Sequence, residues 1–186
     1  TFYDDAGRPQ YGTKAFVDNA NPGSYLPGAL ADLNAAGGPL QTQYGDPNAF
    51  SYTLYSDDPL GRVIEQNGPG LEFAGYPTKT WYFGVRRGDY TISPGGTSIQ
   101  FIDGLIATDI TEALLIALSS YTPADADHFL TIVKDPRSTS GHEIYTQELK
   151  DVFGRTVATK AKPSGTHSIV AEYSFDILGN LLTEIA

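Results

Sequence analysis

The chain contains no cysteine and no methionine in its 186 residues. Without cysteine, disulfides and thiolate metal sites are excluded, and either side of a membrane remains open as its compartment. Without methionine there is no initiator. The chain therefore reads as a processed product, a fragment, or a sequence whose start is undetermined. Basic residues are scarce, with 12 Lys and Arg against 22 Asp and Glu for a net charge of −10. Little here neutralises phosphates, so no nucleic-acid partner is expected. The charge favours solubility and self-repulsion without identifying a partner. No apolar run approaches the roughly 18 residues of a membrane span, and no signal-peptide pattern is present. The three histidines, His128, His142 and His167, show no metal-ligand spacing and read as surface or loop residues. No Gly-x-Ser-x-Gly elbow supports nucleophilic hydrolysis, and no EF-hand loop supports calcium.

What is abundant is Tyr, Gly and Pro, at 12, 20 and 12 residues. With so few charges this is the composition of an extracellular, β-rich protein. The length suits one domain or two small ones and is enough to bury about 70% of the unfolded surface.

One pattern organises the chain: Asp-x-x-Gly-(Arg/Asn), present four times. The copies are Asp4 to Arg8 with Gly7, Asp58 to Arg62 with Gly61, Asp151 to Arg155 with Gly154, and Asp176 to Asn180 with Gly179. Composition alone gives roughly a tenth of one match. Each copy sits between runs rich in aromatic, β-branched and other apolar residues, which predicts a hairpin. The Asp carboxylate accepts from a backbone N–H further on and starts the turn. Gly supplies the positive φ that closes it. The following Arg or Asn opens the return strand.

In order, a short strand precedes the first turn and a second runs to Val17. Residues 18–48 read as a loop or arm punctuated by Asn21-Pro22-Gly23, Gly37-Gly38-Pro39 and Asp46-Pro47-Asn48, with two helical turns expected from Ala29 to Ala36. The alternation of Phe50, Tyr52 and Leu54 predicts a hairpin whose return strand is 62–66. Strands follow at 80–85, 90–92 and 98–102, with turns at Arg87-Gly88-Asp89 and Ser93-Pro94-Gly95-Gly96. The tripeptide Arg87-Gly88-Asp89 is read as a turn rather than an adhesion signal. Asp109 and Glu112 form a capping-box-like start for a short helix near 110–120, apolar almost all round and so expected to be well buried. Thr122-Pro123 starts a second helix. Phe129 to Val133, 144–149 and 156–160 return to strand. Ile169, Ala171, Tyr173 and Phe175 alternate as a half-buried strand answered by 181–185.

The turns resemble those of the YD-repeat, or RHS, family of large bacterial surface and toxin-encasing proteins. That family's motif is an aromatic, Asp, two variable residues, Gly, then Arg or Asn. Tyr3-Asp4-Asp5-Ala6-Gly7-Arg8 matches it literally, and Phe175-Asp176-Ile177-Leu178-Gly179-Asn180 matches with Phe for Tyr. The stretches from Asp58 to Gly70 and from Leu149 to Arg155 resemble the region ahead of the repeats in many Bacteroidota members. About a third of the chain is covered. The turn glycines lie 54, 93 and 25 residues apart, whereas tandem repeats hold a fixed period. The resemblance is thus to a variant or leader domain preceding the repeats. It implies stacked hairpins and a scaffold, and it supplies no catalytic residue.

Paired carboxylates at Asp4-Asp5, Asp57-Asp58 and Asp125/Asp127 raise calcium or glycosidase chemistry; one Asp of each of the first two pairs is already the turn residue. For binding, Tyr76, Trp81, Tyr82 and Phe83 cluster, and rings on a sheet stack sugars. The expected fold is mainly β: an antiparallel, hairpin-based sheet or sandwich with one or two short helices and an extended N-terminal arm. Residues 1–48 form the hairpin and arm and 49–186 the β-rich domain, together one structural unit. The expected function is structural and non-catalytic, without cofactor or metal: a building block of an extracellular or bacterial cell-surface assembly, joined head to tail by strand addition to itself or to adjacent domains. The alternative is a carbohydrate-binding surface module using Tyr76, Trp81 and Tyr82.

Overall fold

The structure, a computed structural model, describes residues 1–17, 33–86, 88–92, 97–102, 105–106, 112–119, 124–138, 144–164 and 167–185. It is mainly β, with antiparallel pairing in every adjacent strand pair whose register is given below, and it divides into two compact units, Thr1–Lys79 and Thr80–Ala186.

In the first unit, β1 (Phe2–Tyr3), β2 (Pro9–Thr13), β3 (Phe50–Tyr55) and β4 (Val63–Asn67) lie side by side in chain order. β4 pairs with the start of β5 (Thr78–Val85) through Glu65↔Lys79 and Gln66↔Thr78. β2 meets β3 at Tyr11↔Tyr52, where Tyr11 and Phe50 stack edge to face at 5.9 Å. Helix α1 (Pro39–Tyr44) starts with Pro39 in the first turn, where its missing N–H costs nothing, and ends at Gly45 in the left-handed region, φ 62°. Leu40 and Ala49 are fully buried with Leu33, and Phe2 and Phe16 pack on them. Lys14, directly after β2, reaches Asp46 at 3.7 Å and lies over the Tyr44 ring.

These contacts tie residues 33–49 into the strands on either side. The compact units therefore divide at 79/80 rather than at 48/49. The expected helix over 29–36 falls mostly on residues outside those described. The helix described in this unit starts at Pro39, inside the Gly37-Gly38-Pro39 stretch read as loop.

In the second unit the strand order is β5, β9 (His128–Lys134), β10 (Tyr145–Asp151), β11 (Thr156–Ser164), β12 (His167–Phe175) and β13 (Leu181–Ile185). A separate three-stranded sheet is formed by β6 (Gly88–Ile92), β7 (Thr97–Ile102) and β8 (Leu105–Ile106). Gly88 and Asp89 open β6 instead of forming the expected turn. Leu130, Ile132, Leu149 and Ala158 are fully buried on one face, with Tyr145 beside them. Helix α2 (Glu112–Ser119) adds Leu115 and Leu118 to that cluster. The helix is less buried than its composition predicts, since Ile116 is 60% exposed. Its Asp109 start lies outside the described residues, as does most of the second helix start at Thr122; Ala124 and Asp125 form a turn.

Candidate functional site

The four turns share a core, in which the Gly N–H donates to the Asp carbonyl and the side chain four residues on donates to the Asp Oδ2. In three of them the Asp N–H donates to the carbonyl of the residue four ahead (Asp4 to Arg8, Asp151 to Arg155, Asp176 to Asn180), and the Gly N–H donates back to the Asp carbonyl at 2.9–3.0 Å. The Asp Oδ1 accepts from the backbone N–H two and four residues on: Ala6 and Arg8, Phe153 and Arg155, Leu178 and Asn180. Oδ2 takes the side chain of the residue four ahead, with Arg8 Nε at 2.7 Å, Arg155 Nε at 2.7 Å and Asn180 Nδ2 at 2.8 Å. The glycines hold φ of 75°, 79° and 90°.

The second copy is longer by two residues. Ser56 takes the opening role: its N–H donates to the Arg62 carbonyl, and its Oγ accepts from the Arg62 N–H. Asp58 closes the inner turn on Leu60 and Gly61 and holds Arg62 Nη2 at 2.6 Å.

All four turn carboxyls are held below their usual range. For Asp4 the chief cause is the Arg8 N–H, for Asp58 the Arg62 guanidinium, and for Asp176 the Asn180 amide. For Asp151 burial pushes the other way, and the Arg155 guanidinium with two backbone donors outweighs it.

The turns also touch one another within each unit. Arg8 lies over the Tyr55 ring, 4.4 Å from its centroid, with Nη1 so close to the second turn that a Cβ on Gly61 would meet it at 2.6 Å. Arg155 repeats this on the fourth hairpin, 4.8 Å from the Phe175 centroid and 3.7 Å from where a Gly179 Cβ would sit. Sequence reasoning singled out the arginines but missed Tyr55 and Ser56. The available signal was an aromatic directly ahead of the turn-opening residue, present in Tyr3, Tyr55 and Phe175 and replaced by Lys150 at the third turn.

β1 flanks the strand order of the first unit and β13 that of the second. All five residues of β13 are exposed, including Leu181, Leu182 and Ile185, and Ile177 and Leu178 project fully from its turn.

The remaining candidates are scattered. Trp81 packs on the buried cluster with its ring 6.5 Å from Tyr145, and strand alternation sends Tyr82 to the opposite face of β5. Tyr76 is exposed in the first unit. Asp125 pairs with Arg86 at 2.7 Å. Asp127 holds His128 Nδ1 at 2.8 Å. His142 lies outside the described residues, and His167 opens β12.

A groove of about 450 Å³ in the second unit is lined by His128, Asp151, Glu172, Ser174, Thr183 and Ile185 among others. Three strand spacings, about 14 Å, separate His128 on β9 from Ser174 on β12, and the Ser174 hydroxyl pairs with Thr183. That separation leaves no nucleophile–base contact. Among the described residues no three His, Asp or Glu side chains converge as a metal site, and no helix is long and apolar enough to cross a membrane.

A family model described as a domain of unknown function (DUF6443) matches residues 1–85, which hold the first two turns and the strands they join. Neither the curated proteins nor the solved structures contain a match to this chain.

Proposed function

We propose that this chain is a structural, non-catalytic building block of an extracellular bacterial assembly, extended by β-strand addition into a filament or a larger RHS-like shell. The observation that carries this reading is β13. A strand with unpaired N–H and C=O groups on one side is a template for another strand. Protected edges carry Pro, Lys or inward charges; β13 reads Leu-Leu-Thr-Glu-Ile, with three apolar side chains exposed. The added strand comes from another copy or from the adjoining stretch of a longer polypeptide, and main-chain hydrogen bonds provide the attachment. The bacterial and extracellular setting rests on the likeness of the turns to YD repeats. The carbohydrate-binding alternative gains no comparable support, because Trp81 is occupied by the core and Tyr82 faces away from it.

Sedimentation velocity over a concentration series tests the reading. The unaltered chain is expected to form species that grow with concentration. Leu182→Lys, which puts a charge on the edge, is expected to give a monomer with an unchanged circular dichroism spectrum. A chain that stays monomeric at every concentration overturns the reading.

A further inference from the structure

We propose that Tyr3 and Gly7 form an open receptor for a guanidinium arm, so that the hairpin lying beside β1 is one closed by an Asp-x-x-Gly-Arg turn. This rests on the strand-addition reading and adds to it the chemistry of the neighbour. The chain contains the same receptor twice in filled form. Continuing the β2–β3 register three residues past Tyr11↔Tyr52 sets Arg8 opposite Tyr55. Continuing β11–β12 three residues past Ala158↔Glu172 sets Arg155 opposite Phe175. In each case the aromatic stands directly ahead of the turn-opening residue, and the arm crosses from the hairpin before it to the ring and the turn glycine.

Tyr3 stands in the same place ahead of Asp4. Its side chain is 62% exposed, and a Cβ on Gly7 would meet nothing within 4 Å. No described strand lies on the open side of β1.

The arm in the filled pairs is already held: Arg8 and Arg155 each keep Nε on their own turn carboxylate at 2.7 Å while the guanidinium carbon lies 4.4 Å from the Tyr55 centroid and 4.8 Å from the Phe175 centroid, Arg155 also lying 5.1 Å from its own turn's Phe153. A planar, pre-held cation suits a ring face, and Lys does not reproduce it. Backbone pairing alone leaves register loosely specified on a short edge; an arm seated on Tyr3 fixes it. The fourth turn of this chain cannot deliver that arm. Asn180 is short, and its amide is tied back to Asp176 Oδ2 at 2.8 Å. The occupant the receptor is built for is therefore an arginine-type hairpin, and this chain's fourth one can add there through its backbone alone.

The test converts the fourth turn into the missing partner. In the full chain, Asn180→Arg is expected to tighten self-association about two- to five-fold, the range of one exposed cation–π contact, measured by sedimentation equilibrium with folding checked by circular dichroism. Tyr3→Ala in that background is expected to return association to the level of the unaltered chain, and Asn180→Lys to give a smaller gain. If the unaltered chain assembles and Asn180→Arg changes nothing, or if its gain survives Tyr3→Ala, the receptor is overturned while strand addition stands. If no variant assembles, both fall.

Discussion

At the scale of single residues, the turn is a local device, and this is why it was legible. One Asp carboxylate serves two backbone donors and one side chain within five residues, so the whole pattern is written in consecutive letters. Its protonation state follows. A carboxyl whose native value is depressed favours the folded state when ionised, so its contribution is fully present above the unfolded value of 3.8 and is lost as pH falls through the lower folded values. Melting temperature is expected to be flat from neutral pH to about 5 and to drop below about 4. Asp151→Asn is expected to lower the neutral plateau and flatten the acid limb; an unchanged acid limb would show that the turns do not set it. What the letters hid is the contact between turns, because Arg8 and Tyr55 meet only once β2 and β3 pair. Gly7 and Gly61 both need positive φ, with values of 75° and 55°, but only Gly61 has a guanidinium above it. Alanine at either position is expected to cost about 1–2 kcal/mol for the backbone. Gly61→Ala should cost a further 0.5–1 kcal/mol or so as Arg8 leaves the Tyr55 face. In an Arg8→Ala background the two costs should converge, which a double-mutant cycle in chemical denaturation reads directly.

At the scale of elements, strands with a period of two were placed within a residue or two, because alternation survives any tertiary context that keeps one face in. Helix α1 was not. Gly37-Gly38-Pro39 is loop punctuation by composition, yet Pro is as good a first helical residue as it is a breaker, and the deciding fact is the burial of Leu40 against Leu33 and Ala49. The same limit applies to α2, whose apolar sequence predicts burial on every side while Ile116 faces out. Burial depends on partners brought from afar, and local pattern does not name them. The second unit's buried cluster makes a quantitative test. Leu149 on β10 is fully buried between the facing residues Leu130 and Ala158. Leu149→Ala is expected to cost about 2–5 kcal/mol in chemical denaturation. The same change at Leu182 on β13, exposed and at the flank, is expected to fall within about 0.5 kcal/mol. Equal costs at the two positions would contradict the assignment of β10 to the core and β13 to the edge.

At the scale of the whole molecule, the opposing terms are charge and edge. A net charge of −10 keeps copies apart, while in the proposed assembly the exposed edge and apolar side chains of β13 draw a strand in. These depend on salt in opposite senses. The screening length shrinks from about 30 Å at 0.01 M to about 8 Å at 0.15 M, so repulsion between copies fades over that range. Burial of Leu181, Leu182 and Ile185 and main-chain pairing are not weakened by it. Association of the unaltered chain is therefore expected to strengthen as salt rises, the reverse of a contact built on ion pairs. Acidification toward the sequence pI of about 4.5 should act in the same direction, until the turn carboxylates begin to protonate and the hairpins themselves loosen. Light scattering across a salt series at neutral pH, then across a pH series at fixed salt, separates the two effects. Assembly that weakens steadily with added salt would mean that opposite charges hold the copies together and that the edge of β13 does not.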